Sequence, residues 1–539
     1  MSWPDPIPFR MRRELHFGDR VFPCFADRPP HLDALFREAV AADPDGEAQV
    51  LGAERVTYRQ LDAQVDRIAG NLAALGVGRG DRVALSLGNR LEFLPLVLAC
   101  ARLGAISVPM NVRMRRPEND YVLGHCGAKL LVHEAEGAAE IPDGLPELKH
   151  RFACGGEAPG ARPFADLIAP AALPPHVAVD EEEVCTLLYT SGTTGRPKGA
   201  MLTHLNVVHS AMHYQACLGY RAGDRAVLAV PASHVTGLVA VFAAMLRVAG
   251  CTILMPAFKA RAFLELAAAE RATNAILVPA MYSLCLMDPE FDRFDLSAWR
   301  IGGYGGAPMP EAVIAELARR LPDLTLINAY GATETTSPTT AMPPGRTAAH
   351  PDSVGRVVPC GEVAVMDDEG REVPPGQPGE IWIKGPMVVP GYWRNPEATA
   401  ATFAGGFWKS GDIGSVDAEG YVRVFDRVKD MINRAGYKIY SVEVENVLMA
   451  HPDVAEAAIV GRPDPVLGER VHAVLVPRAG TDAEAMAAAL TRFCAARLSD
   501  YKVPESFTIL SEPLPRNANG KVLKAELRAW LAEDGAPGR

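Results

Sequence analysis

Residues 188–199 read LYTSGTTGRPKG, and their types suit the binding of a polyphosphate. Thr190, Ser191, Thr193 and Thr194 offer hydroxyl donors, and Lys198 adds a positive charge. Gly192, Gly195 and Gly199 have no Cβ, so backbone N–H groups there can approach an anion and cradle it. The segment is not a Walker A loop, G-x-x-x-x-G-K-[ST], because Lys198 is followed by Gly199. A flexible surface loop of small polar residues is the plain alternative. It accounts poorly for hydroxyls interleaved with glycines and a lysine directly after an apolar run.

Such a loop needs elements to hold it. Short β-rich runs, RVALSL, KLLVHE, VCTLLYT, RAVLAV, CTILM, NAILVP and LTLINAY, alternate with helical patterns such as EFLPLVLACARLG and EAVIAELARRL. Continuous apolar strands joined by helices predict mostly parallel sheets covered on both faces, with ligands at the strand ends. The glycine-rich loop follows the strand VCTLLYT and precedes a helical stretch beginning near His204. From Thr340 to Gly420 the texture changes to Gly, Pro and short alternating runs, which predicts a hairpin-rich β subdomain. After Asp426 a charged connection, VKDMINRAGYK, leads into a fresh α/β pattern. The expected fold class is therefore α/β: a large N-terminal domain over 1–428, with 340–428 as its β-rich part. A small, mobile α+β C-terminal domain over 429–539 follows, with the boundary near Lys429.

Bulk properties narrow the classes. A chain of 539 residues exceeds one compact core. A net charge of −11 argues against a nucleic-acid footprint, though not against a nucleotide. The ten cysteines form no C-x-x-C pair, so zinc-ribbon and thioredoxin-like readings fail and reduced core thiols are expected. The N-terminus, with its prolines and charges, does not read as a signal peptide, and residues 1–30 receive no assignment. Val235–Met255 is apolar, yet Arg247 lies inside it and Gly250 divides it. A buried helix followed by a strand is expected there, not a membrane span. A soluble, cytoplasmic protein is the expectation.

YTSGTTGRPKG closely resembles the phosphate-loop signature of the adenylate-forming superfamily, which includes acyl-CoA synthetases, aryl-CoA ligases, luciferase and nonribosomal-peptide adenylation domains. Further segments resemble that family in the expected order, from VTYRQLD near Thr57 to Lys524. By this resemblance the loop holds ATP phosphates through Thr190, Ser191, Gly192, Thr193, Thr194, Gly195 and Lys198. YGGAP would pass beside adenine with Gly305, Gly306, Ala307 and Pro308. In NAYGATE the resemblance places Asn328, Ala329, Tyr330 and Gly331 at the nucleotide, with Tyr330 stacked on adenine and Thr333 facing phosphate. Glu334, helped by Thr190, would ligate Mg²⁺, which prefers hard oxygen donors shared with substrate phosphates. Asp412 in FWKSGDIG would accept both ribose hydroxyls, and Arg427 would contact the ribose; an ionised carboxylate is a two-oxygen acceptor. By the same resemblance Lys429 would sit at the hinge, and Gly436 and Tyr437 would line the thiol tunnel. Lys521 in LPRNANGK would be the adenylation catalyst, a fixed ammonium that meets charge developing on the α-phosphate and pyrophosphate. Lys198 and Glu334 would complete the catalytic set.

The implied reaction is AMP-forming acid activation followed by acyl transfer to coenzyme A, with ATP, Mg²⁺ and coenzyme A required. A swivel at Lys429 would clear Lys521 from the site before the thiol enters. For the acid, His234 in PASHVTGL is placed beside the carboxylate by resemblance, although on its own it is as well read as structural. Tyr304, Met281 and Thr335 are further candidates, with Thr336 and Met342. The set is apolar with hydroxyls and shows no cation for a second carboxylate, so a monocarboxylic aliphatic or aryl acid is expected. Two alternatives stay open: loading of a carrier-protein thiol, and a non-catalytic nucleotide-binding protein. No carrier domain follows in this sequence, which favours coenzyme A. Homodimers are frequent among such proteins, so a homodimer is expected by analogy only.

Overall fold

The computed structural model describes residues 7–190, 196–478, 481, 483–516 and 522–532. The chain divides into two compact units. One comprises residues up to Ala364 with Trp382–Lys409 and Asp417–Val422; the other comprises Val365–Ile381, Ser410–Val416 and the chain from Arg423.

The first unit is built on two large sheets. In the seven-stranded sheet the order is Lys198–Thr203, Val184–Thr190, Ile106–Met110, Arg82–Ser86, Leu130–Glu134, His150–Cys154 and Arg162–Pro163. All of its pairs are parallel except the first, which is an antiparallel hairpin. The nine-stranded sheet runs Arg356–Val357, Thr340–Ala341, Thr325–Tyr330, Ile301–Tyr304, Asn274–Leu277, Arg225–Leu228, Cys251–Leu254, Glu47–Leu51 and Glu54–Thr57. Its six central strands are parallel, and apolar side chains on both faces make that possible. Under the strand Ile301–Tyr304, Phe263, Tyr282 and Trp299 form part of one core, and the Tyr282 hydroxyl donates to the Gly303 carbonyl at 2.9 Å. Glu362–Met366, Gly379–Lys384, Phe407–Val416, Phe403–Ala404 and Val422–Arg427 form a five-stranded sheet, in which Phe403–Ala404 pairs antiparallel with Phe407–Val416.

The second unit carries its own sheet, in the order Tyr437–Ile439, Ile432–Arg434, Gly468–Pro477 and Val454–Asp464. Ser506–Ile509 pairs parallel to Gly468–Pro477. The helices Ser441–Met449 and Ala483–Ala495 bury Val444, Leu448, Met486 and Leu490 against Ile439, Val454, Ile459 and Val471.

Four segments carry structure that the sequence left unassigned or gave in a coarser form. Residues 1–30 contain an antiparallel hairpin, Met11–His16 with Arg20–Phe25. The glycine-rich loop is followed by a strand, Lys198–Thr203, before the helix His204–Leu218 begins behind the Thr203 cap. The expected helix after His234 is π-helical over Thr236–Ala243 and turns α only at Ala244–Arg247. An all-apolar run carries no phase by which a wider helix could be told from an ordinary one. The charged connection after Asp426 contains the short hairpin Ile432–Arg434 and Tyr437–Ile439. Its two-residue turn, Ala435 at φ +51° and Gly436 at φ +88°, has the left-handed geometry that joins twisted strands.

All ten cysteines are free and buried, and burial pushes the Cys100 and Cys185 thiols up to about 12. Among the described residues no helix is long and apolar enough to cross a membrane.

The helix His204–Leu218 buries three histidines, His204, His209 and His213. Burial pulls His204 and His213 down to about 3 and His209 well below 6.5. The neighbouring His31, His16 and Arg28 add to the effect at His204 and His209. Unfolded histidines take up protons below about pH 6.5 while these do not, so their stabilising contribution is complete above that pH and is lost as pH falls. Each contributes a slope of up to about 1.4 kcal/mol per pH unit. Thermal unfolding followed from pH 8 to pH 5 is expected to show a falling Tm, with a shallower fall in His213→Gln. A Tm independent of pH over that range would contradict the assignment.

Candidate active site

The ends of three parallel strands frame the site in the first unit. Val184–Thr190 pairs antiparallel with Lys198–Thr203, with Thr190 opposite Lys198. Ser191, Gly192, Thr193, Thr194 and Gly195 lie outside the described residues. The Tyr121 hydroxyl donates to the Pro197 carbonyl at 3.1 Å, and His125 bonds the Tyr189 hydroxyl at 2.7 Å. The residues flanking the segment 191–195 are thus braced by the helix Arg116–Cys126.

Ile301–Tyr304 ends in the turn carrying Gly305, Gly306, Ala307 and Pro308, beside the parallel strand Thr325–Tyr330. A Cβ on Gly305 would stand 2.3 Å from the Ala329 carbonyl oxygen, so only glycine allows the two strand ends to lie this close. Asn328 is buried and its side-chain amide donates to the Ser353 carbonyl at 3.3 Å. Ala329 and Tyr330 pair with Ala341 and Thr340, and Gly331 follows them into the turn bearing Thr333, Glu334 and Thr335. Thr335 is fully buried, and its hydroxyl donates to the Ala332 carbonyl while accepting from the Ala332 N–H. Its polar group is therefore spent inside its own turn.

Glu334 is the focus of the constellation. It is only 8 % exposed. Its Oε1 accepts from the Tyr392 hydroxyl at 2.9 Å and lies 3.5 Å from Thr190 Oγ1. The second distance is at the limit of a hydrogen bond, so carboxylate and hydroxyl stand beside each other as two hard oxygen donors. That pair fits a Mg²⁺ shared with phosphate oxygens. Burial together with the Glu334 charge raises the Tyr392 phenol, which keeps it protonated and donating. The Lys198 ammonium sits over the Tyr392 ring, 5.1 Å from its centre. Sequence reasoning missed Tyr392. It lies in the turn-like stretch PGYWRN, 58 residues from Glu334, with no local pattern to connect them.

On the side expected to hold the acid, the Thr236 N–H donates to His234 Nδ1 at 3.3 Å, and the Thr236 hydroxyl lies 3.1 Å away. Burial lowers the imidazole, which leaves it neutral at pH 7 with its proton on Nε2. Tyr304 and Met342 are buried and Met281 is half-buried; burial pushes the Tyr304 phenol up to about 12.

In the second unit, Asp412 and Arg427 lie on adjacent strands, Phe407–Val416 and Val422–Arg427. Arg427 Nε pairs with Asp412 Oδ1 at 2.7 Å. Lys429 is exposed; its carbonyl accepts from Arg528 at 3.1 Å, and Arg528 also pairs with Asp430 at 2.7 Å. Gly436 shapes the hairpin turn and Tyr437 stacks on Tyr501 at 4.6 Å. Lys521 lies outside the described residues. The residues on either side of it are anchored: Arg516 bridges to Val522, and the Leu523 N–H donates to the Pro515 carbonyl at 2.9 Å. Lys524 Nζ then reaches Ser441 Oγ and Glu445 Oε1, each at 2.6 Å.

A family profile described as "AMP-binding enzyme" matches residues 36–393, and "AMP-binding enzyme C-terminal domain" matches 443–521. The long-chain-fatty-acid–CoA ligase FadD13 of Mycobacterium tuberculosis is 36% identical over 476 residues, covering 88% of this chain and 93% of the relative. A feruloyl-CoA synthase of Amycolatopsis is 38% identical over 481 residues, covering 88% and 94%. The fatty acid–[acyl-carrier-protein] ligase ScoC of Streptomyces coeruleorubidus is 36% identical over 509 residues, covering 92% and 95%. The crystal structure of the anthranilate CoA ligase AuaEII with anthranoyl-AMP matches with a TM-score of 0.87 at 27% identity, covering 94% and 98%.

The chain belongs to the AMP-binding enzyme family, the adenylate-forming superfamily. Within it the chain is an AMP-forming acid–thiol ligase, an acyl-CoA synthetase that uses ATP, Mg²⁺ and coenzyme A.

The anchoring at Lys524 is open to a direct test. Burial raises the Glu445 carboxyl and the Lys524 ammonium opposes that shift, so removing the lysine strands an acid in the interior. Lys524→Met is expected to destabilise the second unit by about 3 kcal/mol, the usual cost of breaking a buried pair on one side. Lys524→Arg should cost less. Denaturant unfolding read by hydrogen exchange in the helix Ser441–Met449 measures this, and an unchanged midpoint in Lys524→Met would refute it.

Proposed function

We propose that this acyl-CoA synthetase activates a monocarboxylic aliphatic or aryl acid, with the phosphate chemistry centred on Thr190, Lys198 and Glu334. The observation that supports this most is that Thr190 stands beside Glu334 while Tyr392 contacts both Glu334 and Lys198. In this reading Glu334 and Thr190 would hold Mg²⁺, which when bound supplies charge neutralisation on the phosphates. Lys198, with the segment 191–195, meets the outer phosphates. Gly305–Pro308 and Asn328–Gly331 flank the adenine, Tyr330 stacks on it, and Thr333 faces the phosphate. Asp412 accepts the ribose hydroxyls while Arg427 holds its carboxylate in place. Lys521 stabilises the charge that develops as the carboxylate attacks the α-phosphorus. The hinge at Lys429, the domain limits 1–428 and 429–539, and a thiol path past Gly436 and Tyr437 belong to the same proposal.

The acid class rests on charge. A dicarboxylate needs a cation for its second carboxylate, since an unpaired buried charge is costly. The residues proposed to line the acid pocket, His234, Met281, Tyr304 and Thr335, supply none, because His234 is held neutral by burial. The long-chain fatty acid and the ferulate in the names of two relatives are acids of this class, whereas the 2-succinylbenzoate named for a third carries two carboxylates. Coenzyme A is the acceptor of most of those relatives, and the carrier-protein relative supports a second reading in which a carrier thiol is also loaded. A cytoplasmic location and a homodimer complete the proposal.

Hydroxamate trapping across a panel of carboxylic acids reports adenylation whatever the thiol, and activity only with dicarboxylates would overturn the acid class. Lys521→Ala is expected to lower acid-dependent ATP–pyrophosphate exchange by about 100- to 1,000-fold. Thioester formation from supplied acyl-adenylate should persist in the same variant. Equal loss of both half-reactions would contradict the role given to Lys521.

A further inference from the structure

The segment Val389–Trp393 touches both halves of the phosphate site. On one side the Val389 N–H donates to the Glu334 carbonyl at 2.9 Å. On the other, the Met201 N–H donates to the Gly391 carbonyl at 3.1 Å and the Trp393 N–H donates to the Gly199 carbonyl at 2.8 Å. Ala200 and Tyr392 form an antiparallel bridge between them. The segment therefore adds a short strand to Lys198–Thr203, the descending stem of the glycine-rich loop. Its other end is fixed as well, because the Tyr392 N–H donates to Thr399 Oγ1 at 3.0 Å.

This backbone holds the Tyr392 side chain, 5 % exposed, between the two charged groups of the site. The hydroxyl donates to Glu334 Oε1 at 2.9 Å, and the ring lies beneath the Lys198 ammonium. A buried carboxylate on a short turn can rotate about its side-chain bonds, and a metal needs it in one orientation. A single phenolic donor on one oxygen removes that freedom. It leaves the other oxygen and the remaining lone pairs of the first for a cation beside Thr190.

We propose that Tyr392 is a positioning residue for the metal-binding carboxylate, fixing Glu334 so that Mg²⁺·ATP binds to a preformed pair of oxygen donors. The inference rests on the reading of Glu334 as the magnesium ligand. Tyr392 touches neither substrate nor metal in this role; it acts through Glu334. The backbone of Val389–Trp393 makes the same coupling mechanical, since displacement of the Glu334 turn would be felt by the loop stem through one continuous segment.

Tyr392→Phe removes only the hydroxyl and keeps the ring under Lys198. Calorimetric titration of wild type, Y392F, E334Q and the double variant with Mg²⁺·ATP and with AMP, all without any carboxylic acid, tests the proposal. In Y392F the affinity for Mg²⁺·ATP is expected to fall about tenfold or more, as for other partners that orient a metal ligand. AMP binding, which needs no metal, should stay within about twofold of wild type. In the E334Q background Y392F should add nothing, because the two act as one unit. In pyrophosphate exchange the Mg²⁺ concentration for half-maximal rate should rise while the rate at saturating Mg²⁺ recovers. Equal losses for AMP and Mg²⁺·ATP, or additive losses in the double variant, would mean a merely structural tyrosine and overturn the proposal. The two readings fail separately. Wild-type Mg²⁺·ATP binding by E334Q removes Glu334 as the ligand, whereas loss in E334Q without loss in Y392F removes only the role of Tyr392.

Discussion

The triphosphate of ATP carries several negative charges, and a protein with a net charge of −11 must meet them with a few groups held in place. In the proposed reading the first unit answers that constraint where Thr190 and Glu334, 3.5 Å apart, would hold a Mg²⁺ that neutralises the phosphates. Thr190 ends a strand of the seven-stranded sheet, and Glu334 follows a strand of the nine-stranded sheet. Neither sheet alone could place both oxygens. The close packing of the strand ends at Gly305, the core beneath Ile301–Tyr304 and the brace from Tyr121 all serve the position of that pair. Coulombic attraction falls off steeply in water, so donors fixed in advance do more than mobile ones could.

A similar economy appears around Asp412 and Arg427. In the proposed role, a carboxylate that accepts hydrogen bonds from two ribose hydroxyls has to be held in one orientation. Arg427 Nε pairs with Asp412 Oδ1 at 2.7 Å and so helps to fix the plane of the group. Arg427 is about one-third exposed, so the ion pair itself adds little stability; its value is geometric. Glu334 and Asp412 are thus handled alike, each contacted by a donor from another segment, Tyr392 and Arg427.

The sequence made the strands legible wherever continuous apolar runs sat between turn signals. CTILM, NAILVP and LTLINAY fall on Cys251–Leu254, Asn274–Leu277 and Thr325–Tyr330 with only their ends misjudged. Legibility failed where inward-facing residues are polar. In Met11–His16 the alternation is broken because Glu14 and His16 point inward and are paired there, Glu14 with Arg28 at 2.7 Å and His16 with Glu182 at 2.9 Å. A period-2 reading scores such residues as solvent-facing and dismisses the strand. KGAMLT was passed over for the opposite reason, since its small residues give no strand signal without a partner strand to pack on. For the site, chemistry written in contiguous motifs could be read, and chemistry assembled across the fold could not. Tyr392, Lys524 and Arg528 are ordinary residues in sequence, and only the contacts with Glu334, Glu445 and Asp430 give them meaning.

The two sides of the proposed reaction call for opposite electrostatics, and the residues assigned to each are built accordingly. On the phosphate side, charge must accumulate and be stabilised, so lysine, carboxylate and hydroxyl are gathered and their orientations are locked. On the acid side, a carboxylate has to remain a nucleophile, and a strong cation against it would quench its lone pairs. His234 suits that need because burial withholds its second proton, while the Thr236 N–H on Nδ1 directs the remaining one to Nε2. A neutral imidazole can donate one hydrogen bond and orient a carboxylate without neutralising it. The π-helical run that begins at Thr236 gives this segment a wider turn than an α-helix. Selectivity among acids is then left to shape and apolar area, which discriminate weakly between hydrocarbon tails.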